Sequence, residues 1–490
     1  MSDTEPFALI LLVAGAAGLI AVLSNRLTER VKIPSPALVL VGAAVAVKFV
    51  PDLHEPPRLA VERVVTVALV CILFDGGMHI GWSRFRSALG PIAAVGVAGT
   101  FGTVAAVSVL VHVAFGLGWY VAVLVATAVA PTDPAVVFSV LGRREMSGRS
   151  GTILEGESGG NDPVGIALMA SLITAGGLSA GAFARIGAEF ALQLGVGAAV
   201  GIAGGRALLW FTRRVPLPGE GLYPLRTLAC ALLLFGAATL AHGSGFGAVF
   251  AAGIVLGDEP APFKREIERF HSAVASLAEI AAFVVLGLTV DLSVLARADV
   301  WIPGVILGAA LAFVIRPVLI GLCLLPAHLD RSDRNFVLFA GLKGAVPILL
   351  GTFLLAAGIP GAQRLYGIVA VVVLFSVVVQ GSAVPAAARL LHLQMRTVEP
   401  EPWALGVRLR DEPSDVHRLT ISAGSLAEGH TIGDLPELPG DAWVSFIVRD
   451  GRPVSLKPDT VLRAGDDVLL LADTDLGDNL TQAFEGPPAS

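Results

Sequence analysis

Apolar residues along this chain run on for about 20 positions at a time, with charged residues gathered at the junctions, which is the length of helix that crosses ~30 Å of hydrocarbon. About thirteen such segments can be marked, at 7–24, 36–51, 62–80, 90–115, 119–141, 152–176, 186–211, 222–241, 245–257, 271–291, 300–325, 335–357 and 366–390. The segment at 245–257 is short and Gly-rich, which leaves twelve as the alternative count. Within 126–170 the pattern is interrupted twice: by Pro131-Thr132-Asp133-Pro134, and by Glu157-Ser158-Gly159-Gly160-Asn161-Asp162-Pro163. Both are expected to break their helices. The pattern changes past Ala388. Residues 391–404 form a Pro/Glu linker, and 405–484 a small α+β unit. Its predicted strands are His417–Ser422, Trp443–Arg449 and Val468–Leu471, and Thr431–Leu435 is a candidate short helix. The expected fold is an all-α polytopic membrane domain over 7–390 with this extra unit behind it.

Composition supports the pattern: 54% hydrophobic and 15% charged residues, with a mean hydropathy of +0.76, are too apolar for a soluble chain of 490 residues. A net charge of −6 gives no case for nucleic-acid binding. Cys71, Cys230 and Cys323 sit in apolar runs without metal-ligand spacing and read as small core hydrophobes, so no metal centre or cofactor is expected. The first run follows an acidic start, Met-Ser-Asp-Thr-Glu-Pro, which argues for a retained span rather than a cleaved signal. Basic residues favour one set of alternate loops (Arg84 and Arg86, Arg143 and Arg144, Arg213 and Arg214, among others) by about three to one, so that side is read as cytoplasmic. With an odd number of spans, the N-terminus is then outside and the C-terminus inside.

A carboxylate deep in a membrane costs on the order of 3 kcal/mol, so the interruptions mark an ion path. On a helix Glu157 and Asp162 point roughly 140° apart and cannot share one ion. Ser158 lies one turn before Asp162, and the two make an oxygen site for a partly dehydrated monovalent cation. Glu157 needs a basic partner, and Arg316, deep in the 300–325 segment, needs an acidic one. Two structural readings stand beside these: Asp162 as the cap of a helix starting at Pro163, and Thr132 or Asp133 as an ordinary cap before Pro134. In a compromise, Asp133 holds half-helix ends while Thr132 lends a backbone oxygen. Phe339–Pro347 is the comparable interruption in the second half, and its Lys343 could neutralise carbonyl ends or Asp133. Asp75 either borders the path through a water or sits at the interface, with His79 interfacial. Glu279 is deeper and has no assignable partner.

At these residues the chain resembles the monovalent cation:proton antiporters, in the branch of the bacterial and animal sodium/proton exchangers (NhaP-like). The resemblance rests on APTDPA at 130–135, GESGGND at 156–162, Arg316 and GLKGAVP at 341–347, in that order, and covers about 7–390. It implies a homodimer of thirteen-helix subunits with inverted repeats, two crossed broken helices and elevator-type movement. Asp162 would be the exchange carboxylate and Asn161 would stabilise the crossing. Asp133, Ser158 and Thr132 would assist, and Glu157 with Arg316 would be a structural ion pair. The Asn-Asp pair is similar to that of members held to be electroneutral. Lys343 stands where the family often has Arg. The tail resembles the C-terminal lobe of the regulators of potassium conductance (TrkA-C, or RCK_C-like), a possible site for a small-molecule effector. That fusion places K⁺ ahead of Na⁺ in exchange for H⁺, implies a role in pH homeostasis and puts the protein in a bacterial inner membrane. The chain is thus expected to be a transporter and not an enzyme. A cation channel gated by the lobe is the rival, although no T-x-G-Y-G-like filter is present. Gly156–Gly160 matches G-x-S-x-G by letters, but inside an apolar helical run it lacks the strand-to-helix elbow of a hydrolase.

Overall fold

The computed structural model describes residues 35–49, 57–141, 144–146, 149–327, 329–393, 395–397, 415–435, 443–449 and 452–472, with a few isolated positions. The segment expected at 7–24 lies almost wholly outside them. The chain divides into two compact units, Met1–Val398 and Glu399–Ser490.

The first unit is helical: α1 (Ser35–Phe49), α2 (Arg58–Ser87), α3 (Leu89–Phe115), α4 (Trp119–Val129), α5 (Pro134–Leu141), α6 (Arg149–Ala175), α7 (Ala180–Arg214), α8 (Leu222–Leu240), α9 (Gly245–Gly257), α10 (Lys264–Thr289), α11 (Ala298–Cys323), α12 (Arg331–Phe339), α13 (Ala345–Ala356) and α14 (Ala362–Leu390). Among the described residues, seven helices are long and apolar enough to cross a membrane, and Trp119–Val129, Gly245–Gly257 and Ala345–Ala356 are shorter apolar ones. Outward-facing Phe183, Trp210, Leu233, Leu240 and Phe313 are exposed, as suits lipid contact. The helices pack as two groups: α1, α2 and α7–α10 against one another, and α3–α6 with α11–α14. Between the groups, α6 meets α2, α7 and α9, and α13 meets α2 and α10.

Glycine sets the closest approaches in the first group. A Cβ at Gly253 of α9 would strike the Phe74 carbonyl of α2, and one at Gly257 would strike Gly81 and the Met78 carbonyl. On the other side of α9, Gly197 and Gly201 of α7 lie against the Ser244 and Ala248 carbonyls. Gly81 itself breaks α2, with φ +64°, a conformation that suits a residue without a side chain. The Asp258 carboxylate accepts the Ser83 backbone N–H just beyond that break, capping the resumed turn.

Among the described residues, three long helices contain a π-turn: α3 at Ala94–Gly99, α11 at Leu311–Ile315 and α14 at Phe375–Gln380. Such turns gather at functional positions, and here the second ends directly before Arg316.

One expectation is overturned. Helix α6 runs without a break from Arg149 to Ala175, through Glu157–Pro163. Proline removes one ladder hydrogen bond, but the helix is held by tight packing at its glycines: Gly156 against Ile92, Gly159 against Phe250 and Gly165 against Pro131. Asp162 therefore lies inside a helix, so the reading of it as a helix-start cap falls as well. The interruption at Ala130–Asp133 does separate α4 from α5, and Ala340–Gly344 separates α12 from α13.

Strand β1 (Arg144–Met146) pairs antiparallel with β2 (Met395–Thr397), joining the α5–α6 connection to the segment after α14. In the second unit, β3 (Asp415–Thr420), β4 (Trp443–Arg449), β5 (Arg452–Pro453) and β6 (Asp467–Ala472) form an antiparallel sheet of order β3-β6-β4-β5. Its core holds Leu419, Ile421, Ile447, Leu462, Val468 and Leu470. The candidate helix at Thr431–Leu435 is a single 3₁₀ turn, Ile432–Asp434. Asp466 is buried, which raises its carboxyl pKa. The Arg449 fork (2.8 Å from each oxygen) and the Arg463 N–H outweigh that and hold it below the ordinary range.

Candidate ion site at two helix interruptions

The first interruption lies against α6. Asn161 donates from Nδ2 to Thr132 Oγ1 (2.7 Å) and accepts the Thr132 N–H at Oδ1 (3.3 Å). Thr132 Oγ1 in turn donates to Glu157 Oε1 (3.3 Å), and Ser158 Oγ donates to the Thr132 carbonyl (2.7 Å). Two polar residues of α6, Asn161 and Ser158, thus satisfy the Thr132 backbone, and a third, Glu157, holds its hydroxyl. One lone pair of the Thr132 carbonyl is taken by Ser158.

The second interruption meets the first. The Asp133 N–H donates to the Leu342 carbonyl (2.8 Å), and Lys343 Nζ donates to the carbonyls of Ala130 (2.8 Å) and Pro131 (3.1 Å). Those carbonyls end α4, where a helix leaves acceptors unfilled and a cation is favoured. Lys343 thus reaches the carbonyl ends directly. The glycines of GLKGAVP make room: a side chain at Gly341 would displace the Arg316 guanidinium, and one at Gly344 the Asp133 carboxylate.

Glu157 and Arg316 form a buried fork, Nη1 to Oε1 at 2.5 Å and Nη2 to Oε2 at 2.8 Å. Arg316 also donates to the carbonyls of Leu338 (3.1 Å) and Val337 (3.1 Å), in the last turn of α12. It therefore fixes the entry to the second interruption as well as neutralising Glu157.

Asp162 is 6% exposed and lies beside Ser158, within electrostatic reach of Asp133 and Lys343. Its Oδ1 is buried and accepts no hydrogen bond among the described residues. Asp75 is set apart from this cluster: it accepts from Ser272 Oγ (3.1 Å) and lies 3.4 Å from His79 Nδ1, whose side chain is exposed.

Two supporting residues escaped the sequence reading. In the π-turn of α14, Ser376 Oγ accepts the Lys343 N–H (2.9 Å) and donates to Gln380 Oε1 (3.1 Å), while Gln380 Nε2 donates to the Phe339 carbonyl (2.5 Å). Their signal was a pair of polar residues four apart in an otherwise apolar run. With Arg316 and Lys343 they line a cavity of about 20 Å³, room for one water.

Comparison with known proteins follows the same boundaries. The family profile described as sodium/hydrogen exchanger, transmembrane, matches residues 16–390, and the TrkA-C domain profile matches 416–484. A protein named K(+)/H(+) antiporter NhaP2 from Shewanella oneidensis is 32% identical over 435 residues, 87% of this chain and 74% of its own length. A K(+)/H(+) antiporter NhaP from Alkalimonas amylolytica is 30% identical over 485 residues, 95% of this chain and 82% of its own. Among solved structures, the sodium proton antiporter MjNhaP1 of Methanocaldococcus jannaschii superposes with a TM-score of 0.65 at 22% identity, over 78% of this chain and all of that one, which speaks to the fold alone. With its transmembrane profile spanning most of the chain and relatives alike over nearly all of it, this multi-pass membrane antiporter belongs to the sodium/hydrogen exchanger family and carries a TrkA-C domain behind the membrane unit.

Proposed function

We propose that the chain exchanges a cytoplasmic monovalent cation, K⁺ ahead of Na⁺, for external H⁺, one for one, by competition at Asp162. The observation that carries this is the Asp162 Oδ1 atom: a buried carboxylate oxygen without a hydrogen-bond donor among the described residues, in a residue beside Ser158, whose hydroxyl donates to the Thr132 carbonyl. A proton or a dehydrated cation removes the cost of leaving it bare. The two interruptions act as the crossing of two broken helices related by inverted repeats, a reading supported by the Asp133–Leu342 bond and by the Lys343 ammonium on the α4 end. Alternating access is by elevator-type movement of the group holding α6 past the group holding α10, in a homodimer with its N-terminus outside. K⁺ is favoured because relatives alike over 87% and 95% of this chain are named for it. Those names are of antiporters, so the gated channel gains no support.

In liposomes holding the purified protein and a pH dye, external K⁺ should drive protons out of the lumen, at lower concentrations than Na⁺ does. Cation uptake with no change in the dye would sink exchange.

The unit at 405–484 is proposed as regulatory, with any effector bound there. Ending the chain before Glu399 removes that compact unit and leaves every residue named at the site. The shortened protein should insert and exchange, with altered dependence on cation or pH. Normal insertion with no exchange would make the lobe part of the mechanism.

A further inference from the structure

Helix α10 crosses the first helix group, and its sequence is apolar apart from its first turns and one stripe. Ser272, Ser276 and Glu279, spaced by four and three residues, share a face. Ser272 Oγ donates to Asp75 Oδ1 (3.1 Å), and Ser276, whose side chain is exposed, donates to the Ser272 carbonyl (2.9 Å). One turn further, Glu279 lies within electrostatic reach of Asp133. The stripe thus leads from Asp75 to the first interruption. Glu279 Oε1 is buried and accepts no hydrogen bond among the described residues. The buried cations of the site are engaged elsewhere: Arg316 with Glu157, and Lys343 with the Ala130 and Pro131 carbonyls.

A buried carboxylate oxygen left without a donor works against folding, so its place in a membrane helix asks for a ligand. Asp162 Oδ1 shares that condition from the other helix group. Both carboxylates lie within electrostatic reach of Asp133, one on a helix of each group.

We propose that Glu279 is a cation-coordinating residue of the transport path, a second carboxylate stop on the α10 wall between Asp75 and Asp162. It takes a monovalent cation that has shed part of its water on passing Ser272 and Ser276, and it hands that cation across the seam. The proposal rests on the reading of Asp162 as the exchange site. A merely structural Glu279 would show itself in folding yield; a ligand shows itself in affinity.

The test uses the full-length protein in dye-loaded liposomes, with K⁺ and Na⁺ titrated at fixed pH. Glu279→Gln keeps the shape and removes the charge. Its apparent K⁺ affinity should weaken by about tenfold, the order expected for one lost charged ligand, with the maximal rate largely kept. The K⁺/Na⁺ preference should shift with it. Glu279→Asp should recover part of the affinity, and it serves as the test should the Gln variant fold poorly. Unchanged affinities for both cations in folded Glu279→Gln would overturn the proposal. Asp162→Asn is assayed in parallel. If it is dead while Glu279→Gln behaves as wild type, the role of Glu279 alone falls. If it remains active, the exchange site is elsewhere, and a weakened K⁺ affinity in Glu279→Gln still supports Glu279 as a ligand.

Discussion

Asp162→Asn should bring exchange down to the background of empty liposomes while the protein still folds, inserts and purifies. Asparagine has the shape of aspartate, so packing around α6 is kept. What disappears is the charge for which, in the proposed exchange, proton and cation compete. Since Asp162 Oδ1 accepts no hydrogen bond among the described residues, the native fold draws nothing from it that the amide would forfeit. The wild-type protein should show the complementary sign: its apparent cation affinity falls as pH falls, because protons occupy the same oxygen. Robust cation-coupled proton flux in folded Asp162→Asn would falsify the assignment and move the chemistry to Asp133 or Asp75.

Arg316→Ala should produce the largest loss of folded protein. Removing one member of a buried ion pair typically costs ~3–5 kcal/mol, because the other charge stays behind without compensation. Here the loss goes further, since Arg316 also holds the Val337 and Leu338 carbonyls at the end of α12. The Thr132 hydroxyl hangs on Glu157 as well, so the first interruption should loosen together with the second. Glu157→Gln combined with Arg316→Met removes both charges and should restore part of the yield, measured by size-exclusion profile and thermal unfolding in detergent. Equal yields for wild type, single and double variants would take the pair out of the account.

Much of this site could be read before any coordinates, because charges in apolar segments have few partners to choose from. Glu157 and Arg316 lie 159 positions apart, yet each was the natural candidate for the other. That Glu157 and Asp162 point roughly 140° apart follows from helical geometry once both lie in one helix. The state of the backbone was harder. A run of Glu, Ser, Asn and Asp ending in Pro163 looks like a broken helix, and it proved to be a whole one serving a break elsewhere. Whether polar side chains answer their own backbone or a neighbour's depends on what packs beside them, and single-chain periodicity does not carry that information. Ser376 and Gln380 were missed for the same reason: their meaning depends on lying beside Phe339–Lys343. Glu279 stood out as an oddity but acquired a neighbour, Asp133, only in three dimensions.

The glycine contacts of α9 have a mechanical consequence. With its main chain pressed against that of α2 on one side and α7 on the other, α9 has no side-chain layer along which either neighbour could shear. In the proposed alternating access the trio would be a stationary post. The proposed movement of Asp162 would then leave this post intact and slip along seams lined by side chains, such as the one where α10 meets α13. Bulk introduced at Gly253 would then act by wedging the post apart, slowing turnover at every cation concentration alike, whereas changes along the α10 stripe would act on the cation itself.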